Sequence, residues 1–173
     1  MRLGIGREAR ILLAVGAALV VAAGCGSSRP EWMQDGMPAP VLAGATTDGG
    51  HVDLAAEHGK TAVVVFFEDG CGQCRALYAT ERELAARMKG IAFTMIGVDG
   101  KDSPAALRDA VQRERLPFPV VHDGDAAIAK AWGVTAVPWI YVIDAAGVVR
   151  GCNPSKSSLF ATVDALTGRL RAQ

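Results

Sequence analysis

Histidine is scarce in this chain and cysteine only a little less so: three and four in 173 residues. Four cysteines are too few for a disulfide scaffold, so each needs its own account. Charge of one sign is also missing. Lysine plus arginine and aspartate plus glutamate both total 18, for a formal net charge of zero. That removes the electrostatic footprint expected of a nucleic-acid binder. With half of its residues apolar the chain is not a disordered one. There is no internal repeat and no second Cys-x-x-Cys motif. The N-terminal apolar run, residues 11–23, is about 20 Å long as a helix, short of the roughly 30 Å hydrocarbon core of a membrane. What remains is one domain with something extra at one end.

The extra segment reads as an address. Arg2, Arg7 and Arg10 outnumber Glu8, the short apolar run follows, and small residues precede a break. That order describes a secretory signal over residues 1–24. The break, Ala22-Ala23-Gly24-Cys25, resembles the lipobox of bacterial lipoproteins, with Ala22 where leucine is usual. The resemblance implies lipidation (palmitate among the acyl chains) at Cys25, which becomes the first mature residue. Each buried CH₂ contributes about 0.8 kcal/mol, so two or three acyl chains hold a protein on a membrane surface. The expected location is the bacterial cell envelope, on the extracytoplasmic side, where disulfides persist. Residues 25–40 carry no periodicity and read as a flexible tether.

From residue 41 to 173 strand and helix patterns alternate. Asp48-Gly49-Gly50 signals a turn with Val52 and Leu54 alternating behind it. Residues 61–67 form a continuous apolar, β-branched run, as in a strand buried on both faces. A helix follows Cys71 to about Met88, with Leu77, Leu84 and Met88 on one side. Residues 91–98 are a second buried strand. Ser103-Pro104 reads as an N-cap and first helical proline, with Leu107, Ala110 and Val111 inward. Arg108, Arg113, Glu114 and Arg115 read as its solvated outer face. A short strand at 119–122 precedes a helix with Ile128, Ala131 and Trp132 inward. Residues 139–143 and 148–150 flank a hairpin turn, and a last helix runs from about Ser158 to Leu170. The order is β-α-β-α-β-α-β-β-α, an α/β fold.

Cys71-Gly72-Gln73-Cys74 falls where the strand 61–67 gives way to a helix. Only a thiolate attacks a disulfide, so a working cysteine needs its pKa lowered from about 8.5. A helix N-terminus does that through unpaired N–H groups and the macrodipole, by about one pKa unit. Cys74, less than a turn away, is placed to resolve a mixed disulfide, and Gly72 lets a partner backbone come close. Two blander readings are half of a zinc site and a plain structural disulfide. Zinc needs four ligands, and His51, His58, His122 and Cys152 are scattered. Pro138, just ahead of the strand at 139–143, marks a strand start whose peptide bond could be cis or trans.

Gly59-Lys60, the strand 61–67, the CGQC motif, Gly97-Val98-Asp99, Leu116-Pro117-Phe118-Pro119, Asp123-Gly124-Asp125 and residues 132–138 occur in a familiar order. The chain thereby resembles the TlpA/ResA-like branch of the thioredoxin superfamily, over residues 38–171. The resemblance implies a thioredoxin-like fold, a central mixed sheet with helices on both faces. It implies that Pro138 is cis and packs against the cysteine pair, that Cys71 is the exposed nucleophile and Cys74 the buried resolver. Gly72, Gln73, Val137 and Trp139 would form the substrate-binding surface, Val137 through its backbone.

Departures from that pattern are Gly70 before the first cysteine and Gln73 before the second. Val65 stands where thioredoxins carry a buried acid, which leaves Glu68 and Asp69 as the nearest carboxylates. Negative charge there would raise the Cys71 pKa. A two-residue turn between Asp144 and Gly147 would pair Cys152 with Trp139, making Cys152, like Glu68, a possible auxiliary group. The expected function is a membrane-anchored, extracytoplasmic thiol–disulfide oxidoreductase. It would reduce specific exported protein disulfides, as in cytochrome c maturation, as a monomer with an upstream redox partner and no cofactor or metal. Competing readings are a disulfide donor of the same fold, a thiol peroxidase, a Sco-like copper carrier with His122 as third ligand, and a redox-inert adaptor.

Overall fold

A computed structural model describes residues 35–168. The expectations for residues 1–24, Cys25 and Leu170 lie outside the described residues. At Asp48-Gly49-Gly50 the Asp48 carboxylate accepts the Gly50 N–H at 3.2 Å, closing the hairpin of β1 (Ala43–Ala45) and β2 (His51–Asp53). Asp53 then caps a short 3-10 helix, Leu54–Glu57, by accepting from Ala55 N–H at 2.9 Å.

The apolar run becomes β3 (Thr61–Phe66), with all of its side chains buried. After it come α1 (Gly72–Arg87), β4 (Phe93–Asp99), α2 (Pro104–Glu114), β5 (Val120–His122) and α3 (Ala127–Ala131). Then β6 (Trp139–Ile143), β7 (Val149–Cys152) and α4 (Lys156–Leu166) complete the domain. The sheet order is β5-β4-β3-β6-β7, with β3, β4 and β5 parallel and β6 antiparallel to both β3 and β7. It is the mixed α/β sheet that the family resemblance implies.

Alternate residues of β3 feed two cores, as a period-2 strand covered on both faces must. Val63, Val65 and Phe67 meet Cys74, Tyr78 and Leu84 of α1, Leu107 of α2 and Leu159 and Val163 of α4. Ala62, Val64 and Phe66 meet Leu54, Trp132 and the Trp139 and Tyr141 side chains of β6. Helices thus cover both faces, α1, α2 and α4 on one and α3 on the other. Phe66, Trp132 and Tyr141 form an aromatic cluster, and the Tyr141 hydroxyl donates to the Trp132 carbonyl at 2.8 Å. That bond ties β6 to the start of the segment that leads into Pro138.

Several local expectations shift. α4 starts earlier than expected, because Ser155 accepts from Ser158 N–H at 3.3 Å and caps it. Ala131 is exposed, and Ala129 packs inward in its place. Part of the segment read as a tether is held in place: Gly36 N–H donates to Val149 O and Ala39 N–H to Gly147 O, so the chain is laid along the β7 edge before residue 40. The β6–β7 register also differs, with Cys152 opposite Tyr141 rather than Trp139. The turn contains one residue more, Gly147 taking φ 79°, and a bulge between Val142 and Ile143 adds another. Two added residues keep Cys152 on the same face but move it one pair along.

Candidate active site

β3 ends with the Phe67 N–H on Val98 O at 3.1 Å, and the chain turns through Glu68, Asp69 and Gly70 into α1. This loop is held from beneath by the end of β4. Asp69 N–H donates to Asp102 Oδ2 at 2.7 Å, and Asp102 N–H in turn donates to Asp99 Oδ1 at 3.0 Å. Lys101 pairs with Glu68 at 2.9 Å, and Arg113 reaches across from α2 to Asp69. Both carboxylates that would raise the Cys71 pKa are therefore offset by a cation. Arg113 lies on the solvated face of α2, as read from sequence, and from there also pairs with the loop that carries the cysteines.

Cys71 is the N-cap of α1, and its Sγ accepts the Cys74 N–H at 3.1 Å. It is half-buried, while Cys74 is 1% exposed and belongs to the core. The two are joined as a disulfide with a Cα–Cα distance of 5.2 Å. Gly72 and Gln73 are exposed, and nothing lies within 4 Å of where a Gly72 side chain would begin. A thiolate released at Cys71 would sit against α1 N–H groups and the positive end of its macrodipole.

The Val137–Pro138 peptide bond is cis. Trp139 pairs with Phe66, so this bond stands at the same sheet end as the β3–α1 loop. Val137 packs against both cores, and against the first one alongside Cys71. Among the described residues its backbone N–H and C=O engage in no hydrogen bond. A cleft of about 290 Å³ runs beside it, lined by Phe67, Glu68, Lys101, Ala129, Val134 and Val137 among others. Glu68 thus stands at the rim of the cleft, tied to Lys101.

Two expected site residues fall elsewhere. Trp139 is 7% exposed, with its ring in the second core 6.3 Å from Tyr141, because the first residue of β6 points to that face. Its side chain is part of the core rather than of the surface. Cys152 lies in the same second core, whereas Cys74 lies in the first, so the sheet separates them. Among the described residues no cysteine is a free thiol.

Sequence reasoning missed three ionisable groups on the way into the protein. Glu81, on the inner face of α1, is 2% exposed, and burial pushes its carboxyl up to about 7. Tyr78 is buried next to it, and its hydroxyl is pushed up to about 12 by burial first and the nearby Glu81 charge second. Asp99, fully buried under the loop, is raised to about 6, mainly by burial. A signal for Glu81 was present: it falls between Leu77, Leu84 and Met88 at helical spacing, in the middle of an apolar face.

The chain has relatives among known proteins. The Bacillus cereus thiol-disulfide oxidoreductase ResA is 28% identical over 122 residues, covering 70% of each chain. A thiol:disulfide interchange protein DsbE homolog of Paracoccus denitrificans is 34% identical over 116 residues, 65% of this chain and 62% of that one. The crystal structure of a thiol:disulfide interchange protein of the thioredoxin family from Chlorobium tepidum TLS superposes with a TM-score of 0.69 at 25% identity. It covers 77% of this chain and 97% of that one. Residues 36–152 match the family model described as AhpC/TSA, and with the thioredoxin fold and the cysteine pair in place, the chain belongs to the AhpC/TSA family.

Proposed function

We propose that the chain is a thiol–disulfide oxidoreductase that reduces specific protein disulfides outside the cytosol, anchored to a membrane by lipid on Cys25. One observation carries the chemistry: a half-exposed Cys71 at the helix N-terminus, with Cys74 buried behind it and the cis Val137–Pro138 bond at the same sheet end. Cys71 as thiolate attacks a client disulfide, and Cys74 resolves the mixed disulfide to give the Cys71–Cys74 bond. The client strand lies along Val137 and over the adjacent cleft, its backbone meeting that of Val137 and an apolar side chain entering the cleft. Since the resting pair ends oxidised, an upstream donor must return two electrons. The ResA and DsbE relatives support this activity, and the secretory pattern of residues 1–24 ahead of Cys25 supports the location. Peroxidase chemistry has less support, since Glu68 stands three residues before Cys71 where peroxiredoxins place threonine.

The test is redox equilibrium of the purified protein in graded glutathione buffers, read by mass after thiol alkylation. A reversible two-electron transition, lost in Cys71→Ser, is expected. A transition toward the potential of thioredoxin fits a dedicated reductant, one toward the oxidising end fits disulfide donation, and none refutes the reading. Acylation of Cys25 is tested by labelling cells with palmitate and comparing Cys25→Ser.

A further inference from the structure

Two carboxylates, Glu68 and Asp69, precede Cys71 with only Gly70 between. The Cα atoms of residues two apart are at most about 7 Å from each other, so Asp69 works against a thiolate at Cys71. The structure nevertheless fixes Asp69 in place. Its N–H donates to Asp102 Oδ2 at 2.7 Å. Asp102 N–H donates in turn to Asp99 Oδ1 at 3.0 Å, and His122 Nε2 lies 2.9 Å from Asp102 O. Asp99 is fully buried at the end of β4, so the support under Asp69 is anchored in the sheet. Onto the Asp69 carboxylate comes the Arg113 guanidinium, from the last turn of α2 and 44 residues away in the chain.

A half-exposed ion pair adds little to folding, so stability is a weak reason for this one. Its place beside the nucleophile is a better reason. Side-chain exposure is 52% at Arg113 and 27% at Asp69. The Lys101–Glu68 pair on the same loop is 74% exposed at its lysine and is screened more heavily by salt. Other charges on the elements around Cys71 are few. α1 brings Arg75 one turn on and Glu81 deeper inside, and the end of β4 and the turn after it bring Asp99, Lys101 and Asp102. β5 brings His122, and α2 brings Glu114, which takes Arg113 Nε at 3.4 Å. Residues 134–138 bring none. We propose that Arg113 sets the reactivity of Cys71 and the redox potential of the pair by cancelling the Asp69 carboxylate, which leaves the N-terminus of α1 to act on the sulfur unopposed. The inference rests on the oxidoreductase reading above.

The sign follows from charge. With Asp69 cancelled, the α1 N–H groups and the positive end of its macrodipole stabilise the Cys71 thiolate. Without the guanidinium, the Asp69 carboxylate opposes the helix and the thiol keeps its proton to higher pH. Without the carboxylate, the guanidinium is left to Glu114 and adds to the helix, so the thiol loses its proton at lower pH. At separations of about 7–10 Å and an effective dielectric between those of a protein surface and water, each change amounts to about half a pKa unit to one unit. The reduced pair contains this thiolate and the disulfide does not. Whatever destabilises the thiolate therefore favours the disulfide and makes the protein a stronger reductant. The exchange itself is unchanged: the client gains two electrons and the pair loses two.

Two measurements on the full chain test this. Alkylation of Cys71 by iodoacetamide is followed from about pH 5 to pH 10 in a Cys74→Ser parent, with the modified cysteine located by peptide mass. Arg113→Gln should raise the midpoint by about half a unit to one unit, and Asp69→Asn should lower it by up to that amount. The double variant should return close to the parent, and so should Arg113→Lys, which keeps the charge. In about 1 M salt, where charges act over only about 3 Å, both shifts should collapse. In the protein with both cysteines, at a pH above the midpoints, Arg113→Gln should move the equilibrium with glutathione about three- to tenfold toward the disulfide, or about 15–30 mV. Shifts of one sign in both single variants, shifts that persist at high salt, or no shift at all overturn the inference and leave the oxidoreductase reading standing. A wild type with no glutathione transition overturns that reading and the claim on the potential with it, while alkylation still decides the claim on Cys71.

Discussion

Replacing Glu81 by glutamine should remove a pH-dependent weakness from the oxidised protein. The folded carboxyl ionises near 7 against an ordinary value of 4.5, and the cause is burial. Between those values the folded chain binds more protons than the unfolded one, so stability falls as pH rises from about 4.5 to about 7 and then levels off. At 1.36 kcal/mol per pKa unit the full loss is about 3 kcal/mol. Glutamine keeps the size and polarity of the side chain but cannot ionise. The variant should therefore match the wild type near pH 4.5 within ordinary substitution effects, and exceed it by about 3 kcal/mol at pH 8. The assay is urea unfolding of the oxidised protein at several pH values. With a slope of roughly 1–3 kcal/mol per molar urea, the midpoint gap should widen by about 1–3 M between the two ends. A gap that stays constant with pH would refute the assignment of a neutral, buried Glu81.

Cys74→Ser should accumulate a stable mixed disulfide between Cys71 and glutathione, seen as an added glutathione by mass; a protein that remains unmodified would argue against Cys71 as the nucleophile. Asp102→Ala removes the acceptor of the Asp69 N–H. It should cost about 1–3 kcal/mol in thermal unfolding and raise the amide exchange rate of the β3–α1 loop. Leu84 is fully buried beneath α1. Leu84→Ala should cost about 2–5 kcal/mol by urea unfolding while leaving the alkylation rate of Cys71 unchanged.

Much of the fold was readable before any coordinates, and for a local reason. The β-branched run at 61–67, the Ser103-Pro104 helix start and the Asp48-Gly49-Gly50 turn each act through neighbours within a few residues. The cysteine pair was readable in the same way, since its chemistry depends on a strand ending and a helix beginning at one spot. Missed or misjudged features all depend on distant partners. Arg113 is solvent-exposed, as its place on the charged face of α2 implies, but nothing near it in sequence shows that Asp69 lies across the gap. Trp139 was assigned to the client surface because the residue after a proline has no marked face until β6 pairs with β3.

The sequence alone determined most of the order of elements and the place of the Cys71–Cys74 pair between a strand and a helix, because each is written in adjacent residues. Tertiary structure alone decided which buried layer each side chain enters. It placed Cys152 behind the sheet, through one extra turn residue and one bulge, and it left Glu81 without a partner in the core that holds Cys74. Strand register and close packing join residues far apart in the chain, and a carboxyl takes its proton affinity from that assembled surrounding rather than from its neighbours in sequence.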